Sequence, residues 1–324
     1  MNLQTHIPLS KETRHPIDYN SNVSLLGSCF SENIGDKLNY FKFQSKQNPF
    51  GILFQPKAIE TLVTNAINEK EYSEAGTEPS RSEDVFLLNE RYHCFDAHSQ
   101  LSNVSKEGLL NNLNQAIKHT HQQIHESTHI VITLGTSWVY RLIESDAIVA
   151  NCHKVPQKKF LKELLSVDEI AESLESITAL IRAVNPTVNF IFTVSPVRHL
   201  KDGFVQNQQS KSHLIAAIHQ VVESRKRLFH FPSYEIMMDE LRDYRFYAED
   251  MIHPNQTAIN YIWEKFSDTW ISESSESTMK KVDSIQKRKN HRPFNPNSEV
   301  HQQFLKRVSE DIQEIQKEHS HISF

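Results

Sequence analysis

Seven glycines in 324 residues set the first limit on this chain. Ordinary usage of ~7% would supply roughly 23. Gly27, Gly35, Gly51, Gly76, Gly108, Gly135 and Gly203 lie too far apart to build a GxGxxG fingerprint or a P-loop, and there is no GxSxG elbow. Nucleotide cradles of those types are excluded. The few glycines kept are expected where the backbone itself demands them.

Two of them close short apolar runs. Val23 to Leu26 ends in Gly27-Ser28-Cys29-Phe30, and a helical pattern follows through Ile34 and Leu38 to Tyr40. Ile130 to Leu134 ends in Gly135-Thr136, and a third run, Phe190 to Val194, stops at Ser195-Pro196. Between these lie a turn at Asn48-Pro49-Phe50-Gly51, a helix opened by Pro56, a polar loop over 70–84 and a hairpin flanking Asn89-Glu90-Arg91. A helical face follows at Leu109, Leu113, Ala116, Ile117 and Ile124, then a second strand pair at 139–142 and 147–149. The capping box Ser166-Val167-Asp168-Glu169 starts another helix. Helices over 207–224 and 254–272 flank a short strand at 228–231. Strands alternating with helices predict an α/β fold, a parallel sheet covered on both faces, with any site at the carboxyl ends of the strands. Ser28, Cys29, Thr136, Ser137 and Ser195 then share one rim.

Charge narrows the function classes. Lys plus Arg is 35 and Asp plus Glu is 40, giving −5, which argues against a nucleic-acid or membrane-surface binder. No apolar run approaches the ~20 residues that span a bilayer, and the residues up to Lys11 carry no apolar signal core. Three scattered cysteines form no disulfide framework, so a cytoplasmic location is expected. Residues 1–272 read as one domain and 273–324 as a tail. Six basic residues between Lys280 and Arg292 suggest a solvated linker. Val300, Phe304, Val308, Ile312 and Ile315 then form a narrow helical stripe, expected to dock on its own domain.

Nucleophilic hydrolysis needs an exposed nucleophile, a base and a group that orients the base. Gly27-Ser28-Cys29 offers a hydroxyl and a thiol just after a strand. Asp250-Met251-Ile252-His253-Pro254 offers a carboxylate and an imidazole three residues apart. Arg198, Asn207 and Lys211, beyond the strand ending at Ser195, and Asn151 and His153, before Pro156, are candidate substrate-binding residues. His125-Glu126-Ser127-Thr128-His129 fits HExxH, but its helix is expected to end near His125 because Ile130 begins a strand; zinc cannot then be held on one helix face. No metal and no cofactor are expected.

These pieces together resemble the GSCFA family. Gly27-Ser28-Cys29-Phe30 matches four letters of the name, with Ser31 at the fifth. The likeness continues through Glu32-Asn33-Ile34-Gly35, Asn48-Pro49-Phe50-Gly51, Leu134-Gly135-Thr136, Asn151-Cys152-His153-Lys154 and Phe192-Thr193-Val194-Ser195-Pro196. It ends with Arg242-Asp243-Tyr244-Arg245-Phe246-Tyr247 and Asp250-Met251-Ile252-His253, covering roughly residues 15 to 272.

That family in turn resembles the SGNH (GDSL-type) hydrolases and the PC-esterases. The resemblance implies a flavodoxin-like three-layer fold and an acyl- or acetyl-esterase acting on a small-molecule or carbohydrate ester. Asp250 and His253 match the terminal block, and Gly51 the oxyanion-hole glycine. Aligning glycine with glycine puts Cys29 at the nucleophile position, with Ser28 the alternative. Ser137 stands where the oxyanion-hole Asn belongs. Cys29, Gly51, Ser137 and Thr136 are the implied oxyanion-hole group, and His253 is expected to lower the thiol pKa. An O-acyltransferase, or a non-catalytic ligand- or carbohydrate-binding protein on the same fold, would use the same cleft.

Overall fold

A computed structural model describes residues 5–74 and 85–324; the part of the expected polar loop from 75 to 84 lies outside them. Along the chain run β1 (Asn22–Gly27), α1 (Cys29–Tyr40), β2 (Gln44–Gln47), α2 (Pro56–Ile67), β3 (Phe86–Leu88), β4 (Arg91–His93), α3 (Lys106–Glu126) and β5 (His129–Leu134). Then come β6 (Trp138–Leu142), β7 (Ala147–Val149), β8 (Phe160–Leu164), α4 (Val167–Val184), β9 (Asn189–Val194), α5 (Phe204–Val221), β10 (Leu228–His230) and α6 (Ser233–Glu235). The last are α7 (Gln256–Trp270), α8 (Glu276–Lys289) and α9 (Glu299–Glu318).

The central sheet has five strands in the order β10-β9-β5-β1-β2, and every neighbouring pair is parallel. Counted in chain order this is 2-1-3-4-5, the flavodoxin-like order, whose switch point lies between β1 and β5. Side-chain alternation shows why both faces are covered. Leu26, Ile130, Ile132, Leu134, Phe190, Phe192 and Val194 point into one core, with Ile59 and Leu62 of α2, Leu113 of α3, Leu174 of α4 and Leu214 of α5. Val23, Leu25, Val131 and Ile191, the residues between, point into the other, with Phe30 and Leu38 of α1 and Ile262 and Phe266 of α7. The period of two along each strand therefore builds a three-layer α/β/α sandwich.

Beside it, β6 pairs antiparallel with both β7 and β8 in a small second sheet. The capping box is present: Ser166 Oγ accepts from Glu169 N–H and Glu169 Oε2 from Ser166 N–H. Two elements depart from the sequence reading. β2 consists of Gln44-Ser45-Lys46-Gln47, with no apolar signal, and is held as an edge strand by its register on Asn22 to Leu25. The expected basic linker is mostly helical: α8 turns Met279, Val282 and Ile285 into the second core while its lysines and arginines face outward. Val308 and Ile315 of α9 are buried there too and Phe304 and Ile312 partly so, while Val300 at the head of the expected stripe is exposed; the rest of the stripe docks on its own domain.

Candidate active-site rim

Gly27 shows why the turn after β1 needs glycine. Its φ is +132°, and a Cβ would overlap the Thr133 carbonyl oxygen on β5. The chain then turns sharply into α1. Ser28 is the N-cap: its Oγ accepts from Phe30 N–H at 3.2 Å, and its side chain is buried. Cys29 follows as the first residue of α1 and is half-buried. The adjacent residues therefore have different duties, Ser28 satisfying the helix end and Cys29 standing on the rim.

Burial raises the Cys29 thiol above its ordinary pKa, and Glu32 adds to that. Lys211 and the first N–H groups of α1 pull it back. This corrects the expectation that His253 lowers the thiol; desolvation dominates. Lys211 is wholly buried, donating to Gly135 O and Ser195 O at 2.7 Å each, across the ends of β5 and β9. Burial brings it down to about 7, with Cys29 opposing. It is therefore no substrate ligand, since it has no exposed surface; it sets the charge beneath the rim.

The loop after β9 carries His199, between Arg198 and Asn207, with no motif of its own in the sequence. Its Nε2 is buried and without a hydrogen-bond partner. A Cβ on Gly135 would come within 2.9 Å of that nitrogen, so Gly135 makes room for the ring. Asn207 Oδ1 accepts from His199 N–H at 2.8 Å, which gives Asn207 a positioning duty instead of a substrate contact. Burial, then the charges of Lys211, His253 and Lys201, push His199 down to about 3.

The Asp250 loop packs on the same segment. Arg198 N–H donates to Ile252 O, and the Arg198 guanidinium lies 4.1 Å from the Tyr247 ring centroid. Asp250 Oδ2 meets His253 Nδ1 at 2.6 Å, and Asp250 Oδ1 accepts from the N–H groups of Ile252 and His253. These contacts hold Asp250 down at about 2, the backbone bond from His253 being the largest influence. The carboxylate fixes the ring through Nδ1 and leaves Nε2 outside the pair. Among the described residues no hydrogen bond joins His253 to Cys29 or Ser28. His253 and Lys211 both act electrostatically on His199, and Lys211 also acts on Cys29.

The remaining expected donors are engaged elsewhere. Gly51 N–H closes a turn on Asn48 O. Thr136 N–H goes to Phe54 O and its hydroxyl to Ser210; Ser137 N–H and Oγ are both bound to Ser210. This corrects the assignment of Gly51, Thr136 and Ser137 to the oxyanion hole, because each group is already satisfied. His153 is a core residue, bound to Ser99 Oγ and Cys94 O and lowered to about 4 chiefly by burial. Asn151 braces it, accepting from its N–H. These two are thus not shown on the rim. The HExxH segment divides as expected: α3 ends at Glu126, and His129 is buried in β5 with Nε2 near His15 O.

A doubly wound α/β protein with a cysteine at the first turn after β1 and an Asp-His pair on a distant loop is the class that this fold and rim define. More narrowly, the chain belongs to the GSCFA family, whose model matches residues 22–266; the model of the GSCFA domain protein C-terminal domain matches residues 282–324. No curated protein matches it.

Proposed function

We propose that the chain is an ester hydrolase with Cys29 as nucleophile and His253, oriented by Asp250, as general base. The observation carrying this reading is the 2.6 Å Asp250–His253 pair on a loop bonded to the segment that also carries His199. His253 Nε2 takes the Cys29 proton and the thiolate attacks the ester carbonyl. The oxyanion is received at the positive end of α1, where Cys29 N–H has no intrahelical acceptor. Collapse breaks the C–O bond, and the alkoxide takes the proton back from His253. Water, deprotonated by His253, then cleaves the thioester and releases the acid. A sugar hydroxyl in place of water makes the same sequence an O-acyl transfer.

The engagement of Gly51, Thr136 and Ser137 favours a second reading, a ligand- or carbohydrate-binding protein that retains the cleft without turnover. One experiment separates the two. Incubated with p-nitrophenyl acetate, the hydrolase accumulates or turns over an acetyl group on Cys29, read by intact mass and peptide mapping. Cys29→Ala abolishes it, while Ser28→Ala retains it at a stability cost of about 1 kcal/mol for the lost cap. Acetyl release that survives Cys29→Ala removes the cysteine mechanism; no acylation at all leaves the binding reading.

A further inference from the structure

Away from the rim, three side chains from three elements converge. His219 lies near the end of α5, His230 ends β10, and Glu235 lies on α6. One ligand atom from each falls within 4.8 Å of the others. His230 Nε2 is 3.7 Å from Glu235 Oε1, too far for a hydrogen bond, and the His219 and His230 rings meet edge to face with centroids 4.9 Å apart. The His230 side chain is 10% exposed and the Glu235 side chain 25%. Both His230 Nε2 and Glu235 Oε2 are buried without a hydrogen-bond partner.

Buried polar atoms are normally satisfied, and two orphans on neighbouring side chains ask for a third party. A bridging water would serve both and leave His219 out. A cation bound by two imidazole nitrogens and a carboxylate serves both, and brings the exposed His219 in as the third ligand. We propose that His219, His230 and Glu235 form a zinc site with a solvent-facing fourth position. Two neutral nitrogens and one carboxylate oxygen are a donor set that zinc takes readily. Tetrahedral bonds of 2.0–2.2 Å place donors about 3.4 Å apart. The His230–Glu235 spacing is already close to that. The remaining closure falls on His219, whose exposed ring turns toward the other two without disturbing the core. The site staples α5 and α6 to β10, the edge strand whose outer side no other strand of the central sheet covers. Nothing in the esterase reading requires it, and its success or failure leaves that reading untouched.

Unlike the HExxH segment, this site draws its ligands from separate elements, with no local spacing in the sequence. The test uses the full chain, tag removed and dialysed against chelator. Titration with Co2+ should give visible d–d absorption of tetrahedral intensity at one equivalent, displaced by Zn2+. His219→Ala, at an exposed position that leaves packing intact, should weaken Co2+ and Zn2+ binding at least tenfold, and Glu235→Gln should do the same. The paired variant His121→Ala/His125→Ala should bind as the unaltered chain does; it removes another close histidine pair, on α3. Zn2+ should also raise the unfolding temperature of the unaltered chain but not of His219→Ala. Absence of Co2+ uptake overturns the proposal. So does uptake that survives both His219→Ala and Glu235→Gln, or that is lost only with the α3 histidines.

Discussion

The Cys29 thiol stands between opposing influences: burial and Glu32 hold its proton on, Lys211 and the end of α1 draw it off. Because burial prevails, alkylation by iodoacetamide should still be accelerating as pH rises beyond the ordinary thiol range. Cys29 should nonetheless react before Cys152, which burial alone pushes up to about 11, as peptide mass spectrometry after timed quenching would show. Lys211→Met removes the charge that aids the thiolate, so alkylation of Cys29 should slow below about pH 7, where Lys211 is protonated. It also strips Gly135 O and Ser195 O of their donor, at about 1–3 kcal/mol for each unsatisfied carbonyl, less what is regained by no longer burying an amine. Chemical denaturation of the variant measures that difference. Asp250 has a folded pKa below its unfolded one, so its contribution to stability is complete above the ordinary carboxylate range and is lost as pH falls through about 2. A carboxyl carbon NMR titration should therefore find it ionised where other aspartates are already protonated. The Asp250–His253 pair was legible because the four residues that make it are consecutive. His199 was not, because its place depends on Phe54, Gly135 and Asn207, which only the fold brings to it.

At the scale of elements, the same contrast separates β1, β5 and β9 from β2 and α8. The first three are apolar runs buried on both faces, and composition alone reveals them. β2 is a strand because a neighbour offers its backbone, a cause absent from its own four residues. α8 was hidden by its charges, which sit on the solvent side and outnumber the inward Met279, Val282 and Ile285. Ile285 is fully buried, and Ile285→Ala should cost about 2–4 kcal/mol in urea unfolding, a loss that a mere linker residue would not show. Ser166→Ala at the start of α4 should cost about 1 kcal/mol by removing the hydroxyl that accepts from Glu169 N–H, while the Ser166 N–H bond to Glu169 Oε2 remains.

Across the whole molecule, the two cores that flank the sheet are recruited differently. The first draws on residues from Leu26 to Tyr234. The second begins with Ile17 and Tyr19 and is completed by Val308, Ile315 and Ile322. Ile17 pairs with Trp270 and Ser272 through its backbone, and Tyr19 stacks between Phe43 and His319. Deleting 299–324 should therefore lower the unfolding temperature of the entire chain in a single transition and raise binding of a hydrophobic dye, as calorimetry and fluorescence would record. A deletion that merely removed an appendage would leave the main transition in place.

The late arrival of that covering matters at the ribosome. The strands of the central sheet are finished when His230 has been made, but Ile322 follows roughly 90 residues afterwards. At ~5–20 residues per second the nascent sheet waits on the order of 5–20 s with one apolar face incompletely roofed. During that interval it is a client for chaperones and a target for proteases, and premature termination within α9 leaves a product that folds most of its secondary structure yet still exposes the surface by which quality control recognises it.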